Sequence, residues 1–396
     1  MDDLNEGKGR IYFFFFCVMI AIALAADDVI NAATDRRDRN SKYMQDSAIW
    51  QSVPNGADKN TSVPEAERLK KLLSIFTVVV FANVECSIGR KYGFCVTHRQ
   101  CRDYGGTRIG TCALGFGTCC YKALRSCGGS TSMNITHLQN PDFPASTSES
   151  PPQTCVYNIT RSPSSCQLRL DFYDFQLTQP DATAASINQG KCLKDKFTVV
   201  SGTSTTTLTY LCGSMPAEWH YYLDVEDASN PTQLQISLAS GISFQRRWNI
   251  KVTMVDCARH IPRGCGQYFT GTSGTIYSFN WKSGMYLHGM NYAICFRREK
   301  DYCGYNVVDS GPSWIVCPDI LKIPSTDATT SGFYRHCLTT TSSATNRYPS
   351  SITSKYNAPW FMYHYTLQDN PNRAASSGQG PGTSPGFAFV WKAAPC

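Results

Sequence analysis

Cys166-Gln167-Leu168-Arg169-Leu170-Asp171-Phe172 places apolar side chains at 168, 170 and 172 and polar ones between them. That two-residue period belongs to a strand with one buried face, because successive side chains of a strand point to opposite sides. Upstream, Val156-Tyr157-Asn158-Ile159 repeats the alternation directly after Cys155; on the other side, Phe197-Thr198-Val199-Val200 follows Cys192. Downstream, Trp248-Asn249-Ile250-Lys251-Val252-Thr253-Met254-Val255 runs up to Cys257. Short alternating segments separated by Gly, Pro and Ser clusters predict an antiparallel β-sandwich across this region.

The cysteines extend the pattern. The chain has 19. Cys17 lies in an N-terminal apolar run, and the others form three consecutive groups. They are Cys86, Cys95, Cys101, Cys112, Cys119 and Cys120; then Cys127, Cys155, Cys166, Cys192, Cys212 and Cys257; then Cys265, Cys295, Cys303, Cys317, Cys337 and Cys396. The second and third groups span similar lengths, and each sets its fourth and fifth cysteines 20 positions apart. Even, clustered and repeated cysteines predict a disulfide framework built in an oxidising, extracellular compartment. The first group is too short to fold on apolar burial alone, so three disulfides supply its stability. Its glycines suit tight turns between short strands. Six cysteines allow 15 connectivities and their order selects none. Zinc has no support there, since neither a Cys-x-x-Cys pair nor a His pair is present.

Charged residues make up 17% of the chain, below the roughly 25% of an average soluble protein. The net charge of +7 is spread without a dense Lys/Arg run, which argues against nucleic acid as a partner. Lys8 and Arg10 precede an apolar run from Ile11 to Ala26, so residues 1–26 read as a signal peptide or a signal anchor. Residues 27–69 lack periodicity and read as disordered, or as an upstream extension of the gene model. Residues 70–85 carry a second signal-like unit, Lys70-Lys71 followed by an apolar stretch. The alternative there is a buried strand or helix packed on the first cysteine group.

Two resemblances follow. The order of cysteines over 86–120, with its terminal Cys119-Cys120, resembles the clip module of arthropod extracellular proteins. It implies Cys86–Cys119, Cys95–Cys112 and Cys101–Cys120, although the stretch between Cys101 and Cys112 is shorter than the family's. Residues 127–257 resemble a CUB domain: Cys127-Gly128-Gly129, then Asn140-Pro141-Asp142-Phe143-Pro144, the Cys155 strand, Leu168 to Phe172, Cys192 with Asp195, and the last strand. This implies Cys127–Cys155 and Cys192–Cys212. Cys166 and Cys257 are left over at ends of strands that meet if antiparallel, so they are paired. Residues 265–396 resemble the same family more loosely, through Cys265-Gly266, Tyr292 to Cys295, Cys317-Pro318-Asp319 and Gly386 to Trp391. By analogy the pairs are Cys265–Cys295, Cys317–Cys337 and Cys303–Cys396. The expected fold is all-β: two tandem CUB-like antiparallel sandwiches preceded by a small disulfide-rich module, as in arthropod secreted proteins of this layout.

The CUB resemblance implies a calcium site of one Glu and two Asp through which a partner's Lys is gripped. Asp195 matches one Asp, but Thr178 fills the Glu position and the loop Ser240-Gly241-Ile242-Ser243 offers no carboxylate. Asp309 and Asp319 are candidates in the third group, at altered spacing. A hard cation needs several oxygen ligands, so no cofactor is expected and calcium is disfavoured. Val308-Asp309-Ser310-Gly311-Pro312 resembles the serine-protease nucleophile motif, yet none of His98, His137, His220, His260, His288, His336 and His364 has the context of a triad base. The stretch reads as a turn, and no catalytic residue is assigned. Asn134 and Asn158, and Asn60 if its segment is retained, stand in N-glycosylation sequons. The expected function is extracellular, non-catalytic adhesion or recognition of a protein or glycan partner. The alternative is a regulator or cofactor of an extracellular serine-protease cascade. A type II membrane protein with an extracellular CUB portion is the alternative location, if the N-terminal apolar segment is an uncleaved anchor.

Overall fold

A computed structural model of the 396-residue chain describes residues 84–147, 153–183, 187–200, 210–215, 219–225, 230–281, 283, 285–311, 315, 318–324, 333–336, 351–354, 360–367 and 386–396. The expectations for residues 1–83, Asn60 among them, lie outside the described residues. So does the expected Cys317–Cys337 pair.

The first module is one four-stranded sheet of β1 (Glu85–Ile88), β2 (Lys91–Val96), β3 (Thr107–Cys112) and β4 (Gly117–Tyr121), ordered β1-β2-β4-β3. It also holds a helix, α1 (His98–Asp103), which the sequence reading did not anticipate. Six residues are too few to show a helical period. The local signal is a capping box: the Thr97 hydroxyl accepts from Gln100 N at 3.2 Å and the Gln100 side chain accepts from Thr97 N at 3.1 Å. Cys86–Cys119, Cys95–Cys112 and Cys101–Cys120 are bonded.

The first sandwich uses β5 (Ala123–Leu124), β6 (Gly129–Thr131), β7 (Ile135–Gln139), β8 (Gln153–Ile159), β9 (Ser165–Gln176), β10 (Lys196–Val200), β11 (Trp219–Asp224), β12 (Thr232–Leu238) and β13 (Arg247–Asp256). A four-stranded sheet, β10-β12-β8-β6, faces a five-stranded one, β11-β9-β13-β7-β5. Leu168, Leu170 and Phe172 of β9 and Trp248, Ile250 and Val252 of β13 are buried between them. Cys127–Cys155, Cys166–Cys257 and Cys192–Cys212 are bonded.

The second sandwich uses β14 (Cys265–Phe269), β15 (Ser273–Tyr277), β16 (Asn291–Phe296), β17 (Tyr302–Asp309), β18 (Ile320–Pro324), β19 (Phe333–His336), β20 (Ser351–Thr353), β21 (Phe361–Tyr365) and β22 (Ala388–Pro395). Its sheets are β14-β16-β21-β18-β19 and β15-β22-β17-β20, with Cys265–Cys295 and Cys303–Cys396 bonded. The fold is therefore all-β, with two tandem, mainly antiparallel sandwiches after a small disulfide-rich sheet. Among the described residues parallel pairing enters only through short strands: β5 with β7, β6 with β8 and β14 with β16.

The two sandwich interiors are not separate. One cluster of buried side chains runs from Leu168, Phe172 and Tyr221 through Trp219 and Phe279 to Tyr292, Tyr305 and Trp391.

Candidate functional site

At one end of the first sandwich, Asp195 precedes β10, Thr178 follows β9, Ala239 follows β12 and Arg246 precedes β13. The Asp195 and Arg246 side chains are both fully buried. Arg246 Nε donates to Asp195 Oδ2 at 2.8 Å and Nη2 to Oδ1 at 3.1 Å, a bidentate pair. Thr178 N donates to Oδ2 at 3.1 Å and Ala239 N to Oδ1 at 3.0 Å. The Thr178 hydroxyl in turn accepts from Asp195 N at 3.0 Å. Burial alone raises the carboxyl's pKa, but the hydrogen bond from Arg246 and those from the Ala239 and Thr178 amides outweigh it and hold it below the ordinary carboxylate value.

This settles the fit of a cation. Calcium takes six to eight oxygens. Each Asp195 oxygen already accepts two N–H bonds, and a guanidinium supplies the positive charge. The residues present do not fit calcium. Titrating the whole protein with Ca²⁺ should leave its thermal midpoint and its near-ultraviolet circular dichroism unchanged. A rise in midpoint saturating at micromolar Ca²⁺ would contradict the donor set.

In the second sandwich, buried Asp319 accepts from Tyr286 Oη and from Leu367 N, both at 2.7 Å. Asp309 is exposed at the end of β17 and accepts from Gly311 N at 3.4 Å. Among the described residues no group of three His, Cys, Asp or Glu could hold a metal. Ser310 N donates to Ala388 O at 3.0 Å, so this stretch ends a strand ladder. Four histidines sit in other structural contexts. His137 contacts Tyr92 O, His220 contacts Tyr268, His260 contacts Ile261 O, and His364 packs on Tyr292 and Phe387.

Two joints fix the modules to one another. At the first, Tyr92 stacks on Tyr173 with centroids 5.3 Å apart. Lys251 Nζ lies 4.9 Å from the Tyr92 ring centre, 3.0 Å from Glu85 and 3.6 Å from Asp171. Arg169 pairs with Asp171 at 2.7 Å. Burial raises the Asp171 pKa, but Arg169 and Lys251 bring it below the ordinary value. Buried His137 donates from Nε2 to Tyr92 O at 2.9 Å, and its Nδ1 lies 3.2 Å from the Asn249 side-chain oxygen. Burial, with a smaller push from Lys251, lowers the His137 pKa.

A lowered histidine pKa means the neutral ring belongs to the docked state. Its contribution is complete above the unfolded value of about 6.5 and is lost as pH falls towards the folded one. Amide exchange on β2 and β7 should therefore quicken as pH is lowered through 6, after correction for intrinsic exchange, and His137→Gln should flatten that dependence.

At the second joint, Gln167 reads the connecting segment in both directions. Ile261 N donates to its Oε1 at 2.9 Å and its Nε2 donates to Ile261 O at 3.1 Å. Gly264 N donates to Asp224 Oδ2 at 3.0 Å, Trp219 Nε1 to Tyr277 O at 3.1 Å and Ser214 N to Asn280 Oδ1 at 2.8 Å. Gly266 sits where a Cβ would lie 2.6 Å from Tyr221 and 2.8 Å from Tyr292. The loop before Cys192 takes part as well: His288 N donates to Gly190 O at 3.2 Å. Beside that contact Ile187 and Leu193 are exposed. Asn134 and Asn158 are half-buried, and Asn158 points outward from β8 opposite Gln233.

Residues 262–313 match the family model "Animal CUB domain". The chain contains a CUB-type segment. The match falls on the second sandwich, whereas the fuller set of sequence motifs lies in the first. No curated protein matches the chain. Among solved structures, the CUB1-EGF-CUB2 domains of rat MASP-1 are similar at 14% identity, covering 67% of this chain and 99% of that one, with a TM-score of 0.24. The human MASP-1/3 CUB1-EGF-CUB2 domain is similar at 16% identity, covering 66% and 100%, with a TM-score of 0.23. The full extracellular region of zebrafish Gpr126/Adgrg6 is similar at 12% identity, covering 68% and 34%, with a TM-score of 0.25. Among the described residues no helix is long and apolar enough to cross a membrane.

Proposed function

We propose that the chain is a secreted, non-catalytic adhesion or recognition protein, with a clip-like module over 86–120 and CUB-type domains over 127–257 and 265–396. The observation that carries this reading is the joint between the sandwiches. The sandwiches share one buried cluster and hydrogen bonds across the joint, and the exposed Ile187 and Leu193 stand on a loop that hydrogen-bonds to the second sandwich through Gly190. A rigid scaffold presenting apolar loop residues is how a binding surface limits its ordering cost. The partner is a protein or glycan of the extracellular space that contacts both sandwiches.

The test compares wild type with Ile187→Glu/Leu193→Glu in affinity capture from extracellular fluid, followed by titration of whatever is recovered. Binding should fall by more than tenfold in the variant. Equal capture by both removes this surface. Recovery of a serine protease whose activity the chain alters would favour the cascade-regulator alternative. Labelling of the chain itself by an active-site serine probe would overturn the non-catalytic reading.

A further inference from the structure

Leu114 and Phe116 are 87% and 72% exposed, more than any other large apolar side chain among the described residues. They flank Gly115 in the turn between β3 and β4. Three consecutive residues there have positive φ: Ala113 at 48°, Leu114 at 56° and Gly115 at 94°. Non-glycine residues adopt that conformation at a cost. Asn, Asp or Gly at 113 and 114 would relieve it and be better solvated. The sequence instead keeps a leucine in a strained turn, in water, and a phenylalanine beside it. Neither belongs to the module's buried cluster of Phe94, Val96, Cys101 and Cys120, so neither serves the fold. The turn is braced at its base by Cys95–Cys112 and Cys86–Cys119.

The surrounding charge says what this projection enters. From Ile109 to Tyr121 there is no charged side chain. The cations begin behind the tip: Arg108 and Lys122 in sequence, and Arg99 and Arg102 on α1. Thr97, the N-cap of that helix, follows Val96, whose partner Thr118 is two residues from Phe116. The Arg99 side chain is 85% exposed and lies 3.8 Å from Asp103 of the same helix, which leaves Arg102, Arg108 and Lys122 as the cations without a carboxylate on α1 to offset them. A convex apolar tip cannot enclose a small ligand. An uncharged tip with cations set behind it matches a lipid surface, where apolar groups pass the headgroups and cations stay among anionic ones.

We infer that the β3–β4 tip inserts Leu114 and Phe116 into an anionic bilayer surface, with Arg99 and Arg102 at headgroup level. This does not rest on the proposed recognition function.

The test uses the full chain and vesicles of phosphatidylcholine with 30% phosphatidylserine, or of phosphatidylcholine alone. Wild type should co-sediment with the anionic vesicles. Leu114→Ser/Phe116→Ser should bind at least tenfold more weakly, and Arg99→Gln/Arg102→Gln should lose binding on the anionic vesicles alone. Because both full chains keep residues 1–83, the difference between them isolates the tip. A Phe116→Trp reporter should shift to the blue on vesicles and be quenched by brominated lipid, relative to the seven native tryptophans. No binding by wild type, or equal binding by the serine variant, overturns the inference. An unshifted reporter does so as well.

Discussion

Replacing Arg246 with methionine should destabilise the first sandwich by about 3–5 kcal/mol, the range for removing one partner of a buried ion pair. The variant leaves the Asp195 carboxylate fully buried with only the Thr178 and Ala239 amides to compensate it. It also frees the Ala239 carbonyl, which Arg246 Nη2 reaches at 3.0 Å. At roughly 2–4 °C for each kcal/mol in domains of this size, the thermal midpoint should fall by about 10 °C. The Asp195 pKa adds a second signature. Because the folded value is lowered, the pair's stabilisation is complete above the unfolded value of about 3.9 and is lost as pH falls through the folded one. Acid unfolding of wild type should therefore steepen below about pH 4, and Arg246→Met should remove part of that slope. The double variant Asp195→Leu/Arg246→Met removes both charges and should recover much of the loss, since apolar replacement of a buried pair is often neutral. Scanning calorimetry of the three proteins checks this. An Arg246→Met midpoint within 2 °C of wild type would mean that Asp195 is compensated from elsewhere.

The core of that sandwich was readable because it is written locally. Leu168, Leu170 and Phe172 alternate within one strand, and β13 repeats the device from Trp248 to Met254. The guanidinium facing Asp195 was not readable, since Arg246 lies 51 positions away and no period connects the two. The one available signal was a basic pair, Arg246-Arg247, directly before an apolar strand. In the same way, Thr178 was legible as a missing ligand but not as a hydrogen-bond partner of Asp195. Helix α1 left a readable trace in Thr97 and Gln100, but its glycine-rich surroundings favoured turns. The merged interiors were hidden for another reason. Trp219, Phe279 and Tyr292 look like ordinary inward-facing residues of two separate sandwiches, and only the assembled fold shows that they face one another.

Trp219→Ala should carry the other large effect, because this residue is shared. Its ring is buried against Phe172 and Tyr221 of the first sandwich and against Phe279 of the second. Its indole N–H also holds the Tyr277 carbonyl. Removing a buried tryptophan costs about 3–5 kcal/mol, and here the cavity opens at the joint. If the sandwiches unfold as one body, wild type gives a single calorimetric transition, and the variant should split it in two as the halves lose their common wall. The segment from Ala258 to Gly264 should become a protease site, since its anchors on Gln167 and Asp224 depend on the same alignment. Gly266→Ala should act in the same direction, as its Cβ would press on Tyr221 and Tyr292. The polar surface variant Gln235→Ala is the control, because that side chain stands on the outer face of β12, away from the joint. Two resolved transitions in wild type would refute the single body, and with it the reason for expecting one partner to bridge both sandwiches.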